Sequence, residues 1–274
     1  MASVLDKFLL AGRTALVTGG AGLLGRQFTR ALGEAGANVV VADLDFQAAQ
    51  THSDELDKKG ISAIPVGVDV TDPNSVSKMV QTAMTEFGSL DVLVNSAALD
   101  PKFDPEHLDE QTANAFENYA LDAWTRALNV NLTGVFLSCQ AAVKPMLKQG
   151  VGVIINISSI YGLAGPDQRI YPAVEGEQQF KPVDYSVTKA GILGLTRYLA
   201  AYYAGTRIRV NALTPGGVYN QHDPSFMDKY IPKVILGRMA DLDELNSALV
   251  FLASDASSYM TGSNLVVDGG YTAW

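Results

Sequence analysis

Tyr185 and Lys189 lie four residues apart in "DYSVTKAG", a spacing that puts both side chains on one face of a helix. A tyrosine ordinarily gives up its proton near pH 10, and acid–base work near neutrality requires a change worth about 4 kcal/mol. A neighbouring ammonium group favours the phenolate and supplies part of that change. Of the 11 tyrosines, Tyr185 alone stands four residues ahead of a lysine. The pair therefore reads as a general acid–base with its tuning group.

A second cluster is "ALVTGGAGLLGRQF", residues 15 to 28. Gly20, Gly22 and Gly25 make a G-x-G-x-x-G, while Thr18, Gly19, Gly22 and Gly25 make a second, overlapping fingerprint. Such glycines let the backbone turn tightly and approach a pyrophosphate, whose charge then meets the free N–H groups of a helix N-terminus. Gly19, Gly20, Gly22, Leu24 and Gly25 are the candidate dinucleotide-binding residues. Asp43 closes the next apolar run, where a carboxylate bonds the ribose hydroxyls. It would repel the extra phosphate of NADP, and Leu44 offers no cation to offset it, so NAD is the expected cofactor. A helix-capping role is the structural alternative for Asp43. Asp69 and Val70 end the third run at the expected adenine end, although an aspartate there also suits a turn. A nicotinamide cation would add to the pull on the Tyr185 proton.

These residues need a frame. Apolar, β-branched-rich runs at 14–18, 38–43, 62–69, 91–97, 152–158, 207–213 and 264–269 read as strands. Helical periodicity occupies 23–35, 46–58, 73–87, 112–149, 184–204 and 241–254. Strand alternating with helix implies an α/β fold: a Rossmann-type, doubly wound, seven-stranded parallel sheet with helices on both faces. The 274 residues, 47% of them apolar, suffice for a single domain with a sizeable core. Segments 98–111, 160–183 and 216–240 are too long for plain connectors and lie at the edge where such sheets bind ligands.

A formal charge of −9 disfavours nucleic acid or an anionic membrane as partner. The N-terminus lacks a secretion signal and no run reaches the length of a bilayer span, so a cytoplasmic protein is expected. The single cysteine, Cys139, excludes an internal disulfide and reads as a core residue. The three histidines show no paired ligand spacing, and no metal is assigned.

The chain resembles the short-chain dehydrogenase/reductase family over nearly its full length. The resemblance rests on the glycine loop and, in order, "VNSAA" (94–98), "NVNLTG" (129–134), "NISSIYG" (156–162), "YSVTK" (185–189), "NALTPGGV" (211–218) and "VVDGGY" (266–271). It implies Tyr185 as acid–base and Lys189 as the ribose-binding residue that tunes it. Ser159 would hold the substrate oxygen, and Asn131 would anchor a water in a proton relay. Ser159 is preferred to Ser158 because Ser159-Ile160-Tyr161-Gly162 fits the family's Ser-x-x-Gly. Backbone groups of Asn95, Ser96 and Ala97, and of Pro215, Gly216 and Val218, would line the cofactor. A homotetramer is also implied.

Two departures mark this sequence. The glycine spacing is similar to the family's extended branch, which includes epimerases and dehydratases, whereas everything downstream is similar to the short branch. Only four residues follow "VVDGG", too few for an extended-branch lobe. The stretch between Ser159 and Tyr185 is also about twice the usual length. It mixes Tyr171 and Phe180 with Arg169, Glu175, Glu177 and Lys181, which suits a polar substrate better than an acyl chain or steroid. Tyr161 and Arg169 are the candidate substrate contacts there. Arg169 would clamp an anionic group, or else form a loop ion pair with Asp167 or Glu175.

The expected activity is an NAD-dependent oxidoreductase on a sugar, sugar acid or polyol, interconverting secondary alcohol and ketone, or hemiacetal and lactone. An NAD-retaining epimerase or dehydratase is the alternative. A regulatory NAD-binding protein is a third reading, which the intact Asn, Ser, Tyr and Lys set opposes.

Overall fold

The computed structural model describes residues 3–100, 114–171, 173–174 and 177–274. Its seven-stranded sheet runs β1 (Thr14–Thr18), β2 (Asn38–Asp43), β3 (Ala63–Gly67), β4 (Val92–Asn95), β5 (Gly152–Ile157), β8 (Ile208–Pro215) and β9 (Asn264–Val267). Two short strands, β6 (Ala173–Val174) and β7 (Glu177–Gln178), form a separate antiparallel pair. The spatial order is β3-β2-β1-β4-β5-β8-β9, with every neighbouring pair parallel. From β1 the chain winds outward to β3, then returns to β4 on the other side. That reversal opens a crevice at the carboxyl ends of β1 and β4, where open α/β sheets bind ligands.

Alternate strand residues face opposite layers, which explains the unbroken apolar runs. Ala15, Val17, Val39 and Val41 pack with Phe28 and Leu32 of α1 (Leu23–Glu34) and with Leu249 and Leu252 of α8 (Asn246–Ala253). Leu16, Val40, Leu93 and Ile154 pack on the opposite face. Their partners include Met79 of α3 (Pro73–Phe87), Met146 of α5 (Gly134–Gln149) and Ile192 of α6 (Val183–Tyr202). The remaining helix beside β2, α2 (Phe46–Asp57), is capped by Asp45, whose side chain accepts from the Ala48 amide.

Several element boundaries differ from expectation. The long helical region 112–149 is α4 (Leu121–Leu128), one wide π turn (Asn129–Thr133) and α5. Periodicity cannot register such a turn, because it inserts extra backbone without interrupting the apolar face. The last helix begins only at Asn246. Ahead of it, Glu244 accepts from the Asp241 amide at 2.8 Å and pairs with Arg238, which holds a turn instead. Strand β3 ends at Gly67 rather than at residue 69.

The segments 160–183 and 216–240 meet over the sheet's carboxyl edge. Ile160, Tyr161 and Ile170 from the first pack with Tyr230, Val234 and Met239 from the second in a small core of their own. The second segment contributes α7 (Pro224–Tyr230) to that cap. Most of the third expected insertion, 101–111, lies outside the described residues. Among the described residues, no helix is long and apolar enough to cross a membrane.

Candidate active site

The glycine loop links β1 to α1 and is shaped by contacts no side chain would permit. Gly19 has a left-handed φ of 65°, and a Cβ there would lie 2.8 Å from the Ala97 Cα. At Gly25 a Cβ would lie 1.9 Å from the Gly19 carbonyl oxygen. Gly20 donates its amide to Ala42 at 3.0 Å, which ties the loop to β2. Gly22 sits at the N-cap of α1 without a side-chain cap, and the first turn holds no acidic residue. The amides of Gly20 and Gly22 are bonded within the fold, to Ala42 and Gly19, so the N–H groups left for an anion are those of the first turn of α1, which has no side-chain cap. Leu24 borders the adjoining cleft.

Asp43 turns its carboxylate toward this loop, accepting from the Ala21 amide at 3.0 Å and from Asp45 at 3.2 Å. Capping of α2 falls to Asp45, so Asp43 is not used as a helix cap. Leu44 beside it is 77% exposed. Asp69 forms a turn in which Oδ1 accepts from the amide and hydroxyl of Thr71, and these bonds hold its carboxyl below the usual range. Val70 is buried against Gly134.

The expected Asn95–Ala97 wall is divided. The Asn95 side chain is buried, donating to Asn156 at 2.8 Å and to Cys139 Sγ at 3.2 Å. Only its backbone faces the sheet edge. The Ser96 and Ala97 amides both donate to Thr18 Oγ1. Cys139 itself is buried, which pushes its thiol up to about 12. On the other wall Pro215, Gly216 and Val218 border the cleft, and Gly217 donates its amide to the Tyr230 hydroxyl at 2.7 Å.

Strand β5 delivers two serines to different tasks. Ser158 donates to the Lys189 carbonyl at 2.8 Å and is spent on docking α6. Ser159 lines the cleft together with Tyr185 and accepts from the Tyr161 amide at 3.2 Å. Lys189 Nζ lies 5.7 Å from the centre of the Tyr185 ring and donates to the Ile157 carbonyl at 2.9 Å. The two are therefore neighbours on α6, Lys189 buried and Tyr185 half-buried at the cleft wall. Burial pushes the Tyr185 phenol upward, as does the charge of Asp100, while the Ser159 hydroxyl opposes both. Burial lowers Lys189 from 10.5 to about 8. Asn131 sits in the π turn. Its Oδ1 accepts from the Leu99 amide at 2.7 Å and its Nδ2 donates back to the Leu99 carbonyl at 3.0 Å. This clasp fixes the chain leaving β4 against the π turn.

Lys189 makes stability depend on pH in a definite direction. Below about pH 8 the lysine is protonated in both folded and unfolded chains, and burying the charge carries its full cost. Between about 8 and 10.5 the unfolded chain binds more protons, so stability rises with pH. In urea titrations of the cofactor-free protein from about pH 7 to about pH 9.5, the wild type should gain stability relative to Lys189→Met. Parallel curves for the two proteins would exclude Lys189 as the source.

The cleft between the two caps has a volume of about 400 Å³. Tyr161 lines it and accepts a hydrogen bond from Tyr171 at 3.1 Å between the hydroxyls. Arg169 does not reach it. The guanidinium forks onto Asp167, at 2.8 and 2.9 Å, and its side chain is 89% exposed. Asp167 is shared with Lys233 at 2.5 Å, so the loop ion pair prevails over the anion clamp. Lys181 occupies the cleft instead, with its Nζ 4.0 Å from the centre of the Tyr185 ring. Sequence reasoning passed over it. The available signal was its spacing, four residues before Tyr185 as Lys189 is four after.

Comparison with known proteins follows the same outline. A family profile described as Enoyl-(Acyl carrier protein) reductase matches residues 20–272. The chain is 41% identical over 268 residues to a 3-alpha-(or 20-beta)-hydroxysteroid dehydrogenase of Mycobacterium bovis, covering 96% of this chain and 91% of that protein. It is 37% identical over 273 residues to a cis-4-hydroxycyclohexanecarboxylate dehydrogenase of Sinomonas cyclohexanicum, covering 96% and 98%. A gluconate 5-dehydrogenase from Burkholderia cenocepacia, solved in complex with NADP and tartrate, superposes with a TM-score of 0.85 at 30% identity. That match covers 99% of this chain and all of the other.

Proposed function

On the premise that this chain belongs to the short-chain dehydrogenase/reductase family and is an oxidoreductase acting on CH–OH groups, we propose that it uses NAD on a polar, polyhydroxylated or carboxylate-bearing secondary alcohol. The observation that carries this reading is the meeting of Ser159, Tyr185 and Lys189 at one wall of a cleft whose other end opens beside the glycine loop. Asp100, Lys181, Gln179 and Asn220 place polar groups in a lining that is otherwise largely aromatic and apolar, with Ile160, Phe180, Phe226 and Met239 among it. The polar groups could hold hydroxyls or a carboxylate, while the apolar wall accommodates a ring or chain that carries them. A sugar-acid dehydrogenase and a hydroxy-acid dehydrogenase among the relatives support the same class.

The glycine cradle and Asp43 would hold the dinucleotide, which supplies a hydride acceptor, or donor in reverse, and a positive charge in its oxidised form. Asp43 supports NAD over NADP because its carboxylate and the apolar Leu44 leave the ribose end without a cation for a second phosphate. Ser159 would orient the substrate hydroxyl by its Oγ, and Tyr185 would take that proton at its phenol oxygen. Lys189 would support the phenolate electrostatically from beneath. Exposed Phe136, Tyr198 and Tyr202 on α5 and α6 are compatible with a homotetramer, for which the mass in solution is the test.

The decisive experiment presents a panel of sugars, sugar acids, polyols and hydroxycyclohexanecarboxylates with NAD and separately with NADP. Formation of reduced nicotinamide is followed by absorbance. Turnover with NAD, at least tenfold better than with NADP, is expected, since a carboxylate facing the added phosphate is worth about 1.4 kcal/mol or more. Tightly held NAD with an altered substrate and no net reduction would establish the epimerase alternative instead.

A further inference from the structure

Among the described residues lining the cleft, Lys181 is the one lysine or arginine. Its side chain is 12% exposed, and its ammonium lies over the ring of the phenol assigned to proton transfer. Its backbone is held at two points by Gln168, whose Oε1 accepts from the Lys181 amide at 2.8 Å and whose Nε2 donates to the Lys181 carbonyl at 3.2 Å. The main chain is preset, and the ammonium is aimed into the cleft.

An ammonium withdrawn from water requires a counter-charge. Asp100 supplies it through a direct ion pair. The two partners are unequally placed, because the Asp100 side chain is 49% exposed. Asp100 can return to water at small cost, whereas Lys181 cannot without leaving the cleft. An arriving anion can thus take the place of Asp100 while Lys181 stays where it is. A carboxylate suits this exchange because it reproduces the group it displaces. Held there, it would lie within a few bonds of any carbinol presented to Tyr185 and Ser159.

We infer that Lys181 is a specificity-determining residue that binds a carboxylate of the substrate in exchange for Asp100, so that the preferred substrate is a hydroxy acid rather than a neutral polyol. This rests on the dehydrogenase reading and narrows it. The carboxylate takes no part in bond-making and serves only to place the carbinol.

The test uses two matched pairs, gluconate against sorbitol and 4-hydroxycyclohexanecarboxylate against its methyl ester, with the wild type, Lys181→Met and Asp100→Asn. The wild type is expected to favour the acid of at least one pair. Lys181→Met should raise KM for that acid about 10- to 100-fold more than it raises KM for the neutral member, with any loss in kcat common to both. Asp100→Asn should lower KM for the acid, because the competing carboxylate is gone; this variant guards against a folding defect in the first. Equal losses on both members, or a preference for the acid that survives Lys181→Met, overturn the inference and leave the dehydrogenase reading standing. If neither pair is turned over, calorimetry of cyclohexanecarboxylate binding to the NAD-loaded protein decides. Binding lost in Lys181→Met keeps the inference; binding retained there, or absent in the wild type, overturns it.

Discussion

Tyr185→Phe is expected to lower kcat about 100- to 10,000-fold, the range by which a positioned acid–base accelerates such a step, while cofactor affinity stays within about threefold of wild type. The contrast follows from where the oxygen sits. Removing it leaves the ring in place, so Lys181 keeps an aromatic face at 4.0 Å and Lys189 keeps its bond to the Ile157 carbonyl. Ser159 keeps the Tyr161 amide. Little else changes in the cleft wall. Steady-state rates and a separate fluorescence titration of cofactor binding provide the two readouts. A variant keeping more than about a tenth of the wild-type rate would move the proton transfer to another group. Burial and Asp100 both favour the protonated phenol. Alcohol oxidation in the wild type should therefore quicken as pH rises, and that dependence should vanish with the hydroxyl.

Gly25→Ala is the second large effect expected, and it acts on the cofactor rather than on the proton. A Cβ at this position would meet the Gly19 carbonyl oxygen at 1.9 Å and the Gly20 Cα at 2.8 Å. Both are backbone atoms, so relief comes only by opening the loop proposed to hold the dinucleotide. Cofactor affinity should fall by at least about 100-fold, since each charge-assisted bond misaimed is worth about 1.5–3 kcal/mol. Gly194→Ala on α6 is the companion variant. A Cβ there meets nothing within 4 Å, so it should leave binding intact and gain up to about 1 kcal/mol of helix stability. Normal NAD affinity in Gly25→Ala would remove the glycine loop from the cofactor site.

The parts of this protein that local chemistry controls were open to sequence reading. The seven parallel strands follow from apolar runs that must be covered on both faces, and the observed strands fall within a residue or two of those runs. Helical spacing alone makes Tyr185 and Lys189 neighbours, whereas Ser159 was pointed to only by the family's Ser-x-x-Gly pattern. The glycine loop needed only the absence of side chains where backbone closes on backbone. The π turn at Asn129–Thr133 was hidden because it leaves the apolar face continuous, and with it the clasp of Asn131 on Leu99.

Sequence by itself determined the sheet, the tight glycine turn after β1 and the placing of Tyr185 beside Lys189, because each depends on residues near one another in the chain or on a repeating pattern. Tertiary structure alone decided which cation reaches the cleft. Arg169 and Lys181 stand in the same insertion, and both are compatible with an anion. Ile170 packs into the small core shared with Tyr230 and Val234, while Asp167, paired with Lys233, holds Arg169 at the surface. Gln168 meanwhile clasps Lys181 from 13 residues away and sets its ammonium over Tyr185. The direction a loop side chain takes is settled by contacts between segments far apart in sequence, and no spacing rule encodes those contacts.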